Sequence, residues 1–264
     1  VGELARELFL GGVEIGRAQL DWQAALAATQ EAMRPAGGRV PLYEAAFEHA
    51  GAACRVDILV PVLEEGAEAW DLYEVKSSSS AKEVNVEDVA FQTWVLRGAG
   101  VALRRSHLVH LDSDYVREGD RDLAELFALV DLTAQIEPLL PEVARSVAEL
   151  QAVRALPDAP LVAIGPQCGA PYDCPLIPHC WKEIPQESVF TLTRIGRKQW
   201  ELYARGVVGI VDVPDDVELN DRQRIQVAAA RSGEPHIDVQ ALRRFLSTLV
   251  YPLFYLDFET LALA

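Results

Sequence analysis

The chain has 264 residues, with 24 Lys and Arg against 40 Asp and Glu, a formal charge of −16, and half of its residues apolar. This balance excludes a disordered tail, a collagen-like repeat and a disulfide-packed secreted module, and the length allows one large domain or two smaller ones with proper cores. The acidity argues against a surface that grips nucleic acid everywhere but leaves room for a local basic track, and no apolar run approaches the roughly 18 residues of a membrane span.

In chain order, residues 1–35 read as helical. Leu4, Leu8 and Phe9 share one face, and Trp22, Leu26 and Met33 fit a second helix closed by Pro35-Ala36-Gly37-Gly38. Val40–Phe47, Cys54–Leu63 and Trp70–Lys76 are short, β-branched and aromatic segments bounded by His49-Ala50-Gly51 and Glu64-Glu65-Gly66, so they read as three strands. Val86–Arg97 reads as a helix and Val101–Leu111 as a further strand. Asp122–Leu156 is mostly helical, interrupted near Pro138 and Pro141. A cysteine-rich stretch follows, then helices over 197–205, 220–231 and 239–249, and a buried strand over 251–258. The expected class is α/β, a mixed central sheet flanked by helices with a helical C-terminal connector. The start at Val1 without Met and the end within an apolar strand read as a piece of a longer protein.

The most informative segment is the expected hairpin Arg55-Val56-Asp57-Ile58-Leu59-Val60 and Asp71-Leu72-Tyr73-Glu74-Val75-Lys76. Glu74 and Lys76 are two apart on a strand and share a face. A turn centred on Glu65-Gly66 sets Asp57 opposite Glu74, with Cβ atoms about 4.5–5.5 Å apart. Two carboxylates at that distance repel unless one is protonated or a divalent cation lies between them, and hard oxygen donors suit Mg²⁺ or Mn²⁺. Phosphodiester hydrolysis is the chemistry this suits: a bound cation polarises the phosphate, and the Lys76 ammonium offsets transition-state charge. Only four lysines occur against twenty arginines, which makes the placement of Lys76 notable. The alternative is a surface strand carrying a weak Glu–Lys ion pair, against which stand the apolar flanks Ile58-Leu59-Val60 and Leu72-Tyr73.

Asp57, Glu74-Val75-Lys76 and the following Asp88-Val89-Ala90-Phe91-Gln92 resemble the PD-(D/E)xK nuclease superfamily, in its RecB-like branch. The resemblance implies a restriction-endonuclease-like fold with Asp57, Glu74 and the Val75 carbonyl as metal ligands. It further implies Lys76 as the catalytic lysine, Gln92 as a supporting or DNA-contacting residue, and Glu44 as an additional acidic position. Related iron-sulfur members carry a metal-binding His on the first helix, where this chain has Leu4-Ala5-Arg6-Glu7, and the aromatic often found four residues after the Gln is here Leu96.

Cys168, Cys174 and Cys180 lie at intervals of six in a Pro-rich loop. Clustered thiols without an export signal point to a metal, zinc or an iron-sulfur cluster. Neither paired CxxC nor CxxC with HxxxH is present, and Cys54 is either a fourth ligand or a small core residue. The loop resembles the C-terminal cysteines of iron-sulfur RecB-like nucleases, such as the CRISPR-associated exonuclease and the AddB nuclease domain. That resemblance implies a 4Fe-4S cluster, with zinc as the alternative, and a fourth cysteine upstream of Val1.

Farther on, Arg194, Arg197 and Lys198 stand near Trp200 and Tyr203 as a local basic track. Gly206–Asp212 and its flanking helices resemble a helix-hairpin-helix module that holds a DNA backbone, the alternative being a plain helical connector. Leu256-Asp257-Phe258-Glu259-Thr260 resembles the first motif of DnaQ-like exonucleases, with Asp257 and Glu259 as a truncated second site. The whole order resembles a bacterial family of two-nuclease proteins.

The expected organisation is a nuclease domain over 1–185 including the cysteines, a connector over 186–250 and the first strand of an RNase H-fold domain over 251–264. The expected function is a cytoplasmic, metal-dependent deoxyribonuclease, an exonuclease on single-stranded or frayed DNA ends, with no membrane partner. The alternative is a degenerate nuclease fold acting as a cluster-stabilised nucleic-acid-binding or scaffold module.

Overall fold

A computed structural model describes residues 1–15, 21–34 and 39–259. It forms two compact units, Val1–Pro160 and the residues from Leu161 on, and the cysteine loop lies in the second.

The first unit is built on a six-stranded mixed sheet whose spatial order follows the chain. Its strands are β1 (Val13–Glu14), β2 (Leu42–His49), β3 (Ala52–Glu64), β4 (Ala67–Val75), β5 (Leu103–Leu111) and β6 (Phe127–Asp131). β1–β2 and β4–β5 are parallel; β2–β3, β3–β4 and β5–β6 are antiparallel. Its helices are α1 (Gly2–Ala5), α2 (Trp22–Ala32), α3 (Glu83–Gly98), α4 (Leu123–Leu126), α5 (Thr133–Ile136) and α6 (Leu140–Arg154). The β3–β4 turn has Glu65 at φ 51° and Gly66 at φ 84°. Two successive positive φ angles match the right-handed twist of the flanking strands, which is why a two-residue turn closes here.

α3 lies on one face of the sheet. Val86, Val89, Ala90 and Leu96 on the helix pack against Leu42, Val56, Leu59, Leu72 and Leu108 on the strands. The helical spacing of those four residues makes the stripe, and each fully buried aliphatic side chain contributes about 1.5–3 kcal/mol. α3 is entered through Lys82, whose N–H donates to Asn85 Oδ1 at 3.2 Å. It leaves at Gly98, where a Cβ would stand 2.1 Å from His49 Cδ2, so only glycine lets the helix end pass that ring. The opposite face is covered by the N-terminal segment: Ala5 joins Tyr43, Ile58, Val109, Leu126 and Phe127 in a second core.

Several expectations need correction. The helical reading of residues 1–35 holds only for α1, the 3₁₀ turn Arg6–Leu8 and α2, with the short β1 between them. Pro35-Ala36-Gly37-Gly38 lies outside the described residues. Within 122–156, Phe127–Asp131 is a strand. Leu123, Leu126, Phe127 and Val130 have helical spacing, yet pairing with β5 from His107↔Asp131 to Leu111↔Phe127 overrides it. Pro138 and Pro141 stand in the first turns of a 3₁₀ helix and of α6, where a missing N–H costs nothing.

The second unit contains α7 (Ile177–Cys180), α8 (Lys198–Ala204), α9 (Asp221–Ser232) and α10 (Val239–Ser247). Its core gathers Val189, Leu192, Ile195, Leu202, Ile210, Val213 and Val227. α9 opens with a reciprocal cap, Asn220 Oδ1 accepting from Gln223 N–H and Gln223 Oε1 from Asn220 N–H, both at 3.0 Å, and stops at Gly233 in the left-handed region. The expected buried strand over 251–258 is absent: these residues form no ladder, and Phe254, Tyr255, Leu256 and Phe258 are more than four-fifths exposed. An apolar β-rich sequence becomes a strand only when another strand accepts its hydrogen bonds, and none among the described residues does.

Candidate active site

The β3–β4 register runs from Ile58↔Tyr73 to Glu64↔Ala67, so that paired positions sum to 131, as the turn at Glu65-Gly66 requires. β2–β3 pairs Tyr43↔Ile58 and Ala45↔Val56. Glu44, Asp57 and Glu74 therefore occupy one row across three neighbouring strands. Neither ladder includes the pairs within that row. In place of a ladder bond, the Asp57 carboxylate accepts from the Val75 N–H at 2.7 Å.

Two acids are buried among the described residues, Asp71 and Glu74. They are satisfied very differently. Asp71 accepts from Arg104 Nε at 2.9 Å, from Arg104 Nη2 and from the Arg105 N–H at 3.2 Å. Glu74 accepts one geometrically formed bond, from Lys76 Nζ to Oε1 at 2.6 Å, with the Gln92 side chain close by, and its Oε2 is buried with no partner. Beside it, Gln92 Oε1 is also buried and unpartnered. An unmet buried acceptor costs about 1–3 kcal/mol, more when it is charged.

Burial and the neighbouring Asp57 charge push the Glu74 carboxyl up to about 7, against the opposing influence of the nearby Lys76 and Gln92. Asp57 is likewise raised by burial, although the Val75 N–H and the Lys76 charge pull it down. For Lys76, burial disfavours the charge, yet hydrogen bonds to Asp88 and Glu74 outweigh it and hold the ammonium above its ordinary range. Lys76 is thus charged and clamped between Glu74 on β4 and Asp88 on α3.

Two side chains join this constellation without having been expected there. Asp88, the second partner of Lys76, precedes Gln92 by four residues on α3, and i,i+4 spacing on one helix face was a usable signal. Arg6 reaches Glu44 at 2.6 Å and Glu14 at 3.4 Å, with its guanidinium over the Tyr43 ring at 5.3 Å. Thirty-eight residues separate Arg6 from Glu44, and no local pattern announces that pair.

Among the described residues no three His, Cys, Asp or Glu side chains form a metal-binding group. The acid pair still fits a divalent cation: Asp57 and Glu74 supply hard oxygens, and the orphaned Glu74 Oε2 is a free donor. Cys168, Cys174 and Cys180 lie on one loop, closed by the Cys174 N–H donating to the Cys168 carbonyl at 2.8 Å. Three thiols fall one short of a Cys₄ cluster set. Cys54 belongs to the α3-side core, and burial, then the Glu74 and Asp88 charges, push its thiol up to about 12, which suits a small core residue rather than a thiolate.

In the second unit, Arg194 (φ 53°) and Gly196 (φ 60°) shape the turn leading into α8. Gln226 Oε1 accepts from the Thr193 N–H at 2.8 Å and Gln223 Nε2 donates to the Thr193 carbonyl at 2.9 Å, tying that turn to α9. Arg194 and Lys198 line one shallow cavity of about 320 Å³ with Asn220 and Gln223, and Lys198 Nζ donates to the Glu218 carbonyl at 2.5 Å. Arg197 is the residue immediately before α8. Trp200 and Tyr203 pack with Phe190 and Trp181, with ring centroids 4.7–6.4 Å apart. Asp257 and Glu259 lie on the exposed terminal segment, where Asp257 Oδ1 accepts from the Phe258 N–H.

No protein-family model matches the chain, and no curated protein matches it significantly.

Proposed function

We propose that the first unit is a restriction-endonuclease-like, metal-dependent deoxyribonuclease of the RecB-like PD-(D/E)xK type, acting on single-stranded or frayed DNA ends. The observation that carries this reading is the buried Glu74, with one oxygen unmet, beside Asp57 and in contact with Lys76. Asp57, Glu74 and the Val75 carbonyl would hold Mg²⁺ or Mn²⁺, which supplies a Lewis acid and lowers the pKa of a bound water.

The chain's own residues do the rest. Lys76 carries a permanent positive charge whose direction is set by Glu74 and Asp88, and it faces the negative charge that grows on the phosphate oxygens. Gln92, four-hundredths exposed, supports Glu74 from α3. In the second unit, Arg194, Arg197 and Lys198 are the residues proposed to hold the DNA backbone, and the cysteine loop is proposed to carry an iron-sulfur cluster, or zinc.

The test is Mg²⁺- or Mn²⁺-dependent degradation of a labelled single-stranded oligonucleotide by the full-length protein. Lys76→Ala is expected to lower kcat about 10²–10³-fold. Equal activity in that variant overturns the site assignment, and binding without cleavage under either metal favours a binding module instead.

A further inference from the structure

The row Glu44, Asp57 and Glu74 holds three acids on adjacent strands, enough to ligate two cations about 3.5–4 Å apart as many phosphodiester-cleaving centres do. The backbone at Glu44 argues against that use. Leu42 and Ala45 both lie in the α3-side core, although residues three apart on a regular strand face opposite ways. Between them Glu44 has φ 58°, a left-handed conformation that costs a glutamate energy and breaks the alternation. Its carboxylate meets Arg6, in the segment that covers the opposite face together with Tyr43. Arg6 is itself fixed, with two carboxylates at its guanidinium and the Tyr43 ring beneath it.

We infer that this centre takes a single divalent cation, at Asp57 and Glu74, because the Arg6 guanidinium holds Glu44 and stands as a permanent charge where a second cation would bind. The inference rests on the metal-site reading above. A second divalent ion at Glu44 would have to displace the guanidinium or sit against it, and like charges in a partly buried site repel strongly.

The experiment counts bound Mn²⁺ by electron paramagnetic resonance of the free ion, using the 264-residue chain without DNA. Wild type is expected to bind one ion, and Glu44→Gln one ion with unchanged affinity. Arg6→Ala frees Glu44 and is expected to bind two, returning to one in the Arg6→Ala/Glu44→Gln double variant. Two ions on wild type, a loss of about tenfold or more in affinity for Glu44→Gln, or a folded Arg6→Ala variant that still binds one ion overturns the inference. Should circular dichroism show Arg6→Ala unfolded, the wild-type count and Glu44→Gln decide it. No bound Mn²⁺ on folded wild type overturns the metal-site reading itself, an outcome distinct from the other failures.

Discussion

Glu74→Gln separates the proposed metal-binding role of the buried carboxyl from its effect on the fold, because a carboxylate that would serve a metal works against the metal-free fold. A carboxyl raised from 4.5 to about 7 on folding binds its proton more tightly in the folded chain than in the unfolded one. Its stabilising contribution is therefore fully present below about pH 4.5 and is lost as pH rises through 7. That difference corresponds to about 3 kcal/mol in total, most of which falls between pH 5 and pH 8.5. Glutamine keeps the shape and an acceptor for Lys76 but removes the charge. In EDTA, opening of the sheet should thus become easier for wild type across that range and stay nearly level for Glu74→Gln, apart from the smaller contribution of Asp57. Hydrogen exchange followed on peptides covering β4 is the suitable assay, since a global melt would blend the two compact units. Added Mg²⁺ should restore protection at pH 8.5 in wild type and not in the variant. Parallel pH profiles for the two proteins, or a variant less protected than wild type at pH 8.5 in EDTA, would refute the reasoning.

The basic turn of the second unit predicts a salt signature: neutralising Arg194, Arg197 and Lys198 together should make the slope of log affinity against log salt shallower by about 2 on single-stranded DNA, since each phosphate contact contributes about 0.7. An unchanged slope by fluorescence anisotropy removes these residues from the DNA track. For the cysteine loop, anaerobically purified full-length protein should absorb in the visible range and lose that colour in Cys174→Ser; a colourless, zinc-loaded protein rejects the iron-sulfur assignment.

Much of the site was legible because it is local. Asp57 and Glu74 belong to one hairpin whose turn residues set the register, and Lys76 follows Glu74 on the same strand face. Asp88 was within reach of the same logic, one helical turn before Gln92. The misreadings have a common cause. Phe127–Asp131 has a helical spacing of apolar residues, and 251–258 has strand composition, but a strand exists only through its neighbour: β5 supplies one for the first, and no described strand does so for the second. Glu44 was expected as an additional acidic position from the resemblance alone, and its long-range partner Arg6 was not legible in the sequence.

The sequence by itself determined the strand and helix run around the hairpin, the register that sets Asp57 across from Glu74, and the position of Lys76, because turn chemistry and period-two alternation act over a few residues. Tertiary structure decided which acids remain unmet. Asp71 and Glu74 are near neighbours on one strand and both buried, yet Arg104 satisfies the first while one oxygen of the second has no partner. Partners of that kind come from distant segments, Arg6 for Glu44 and Arg104 for Asp71, and only folding brings their charges within a hydrogen bond of one another.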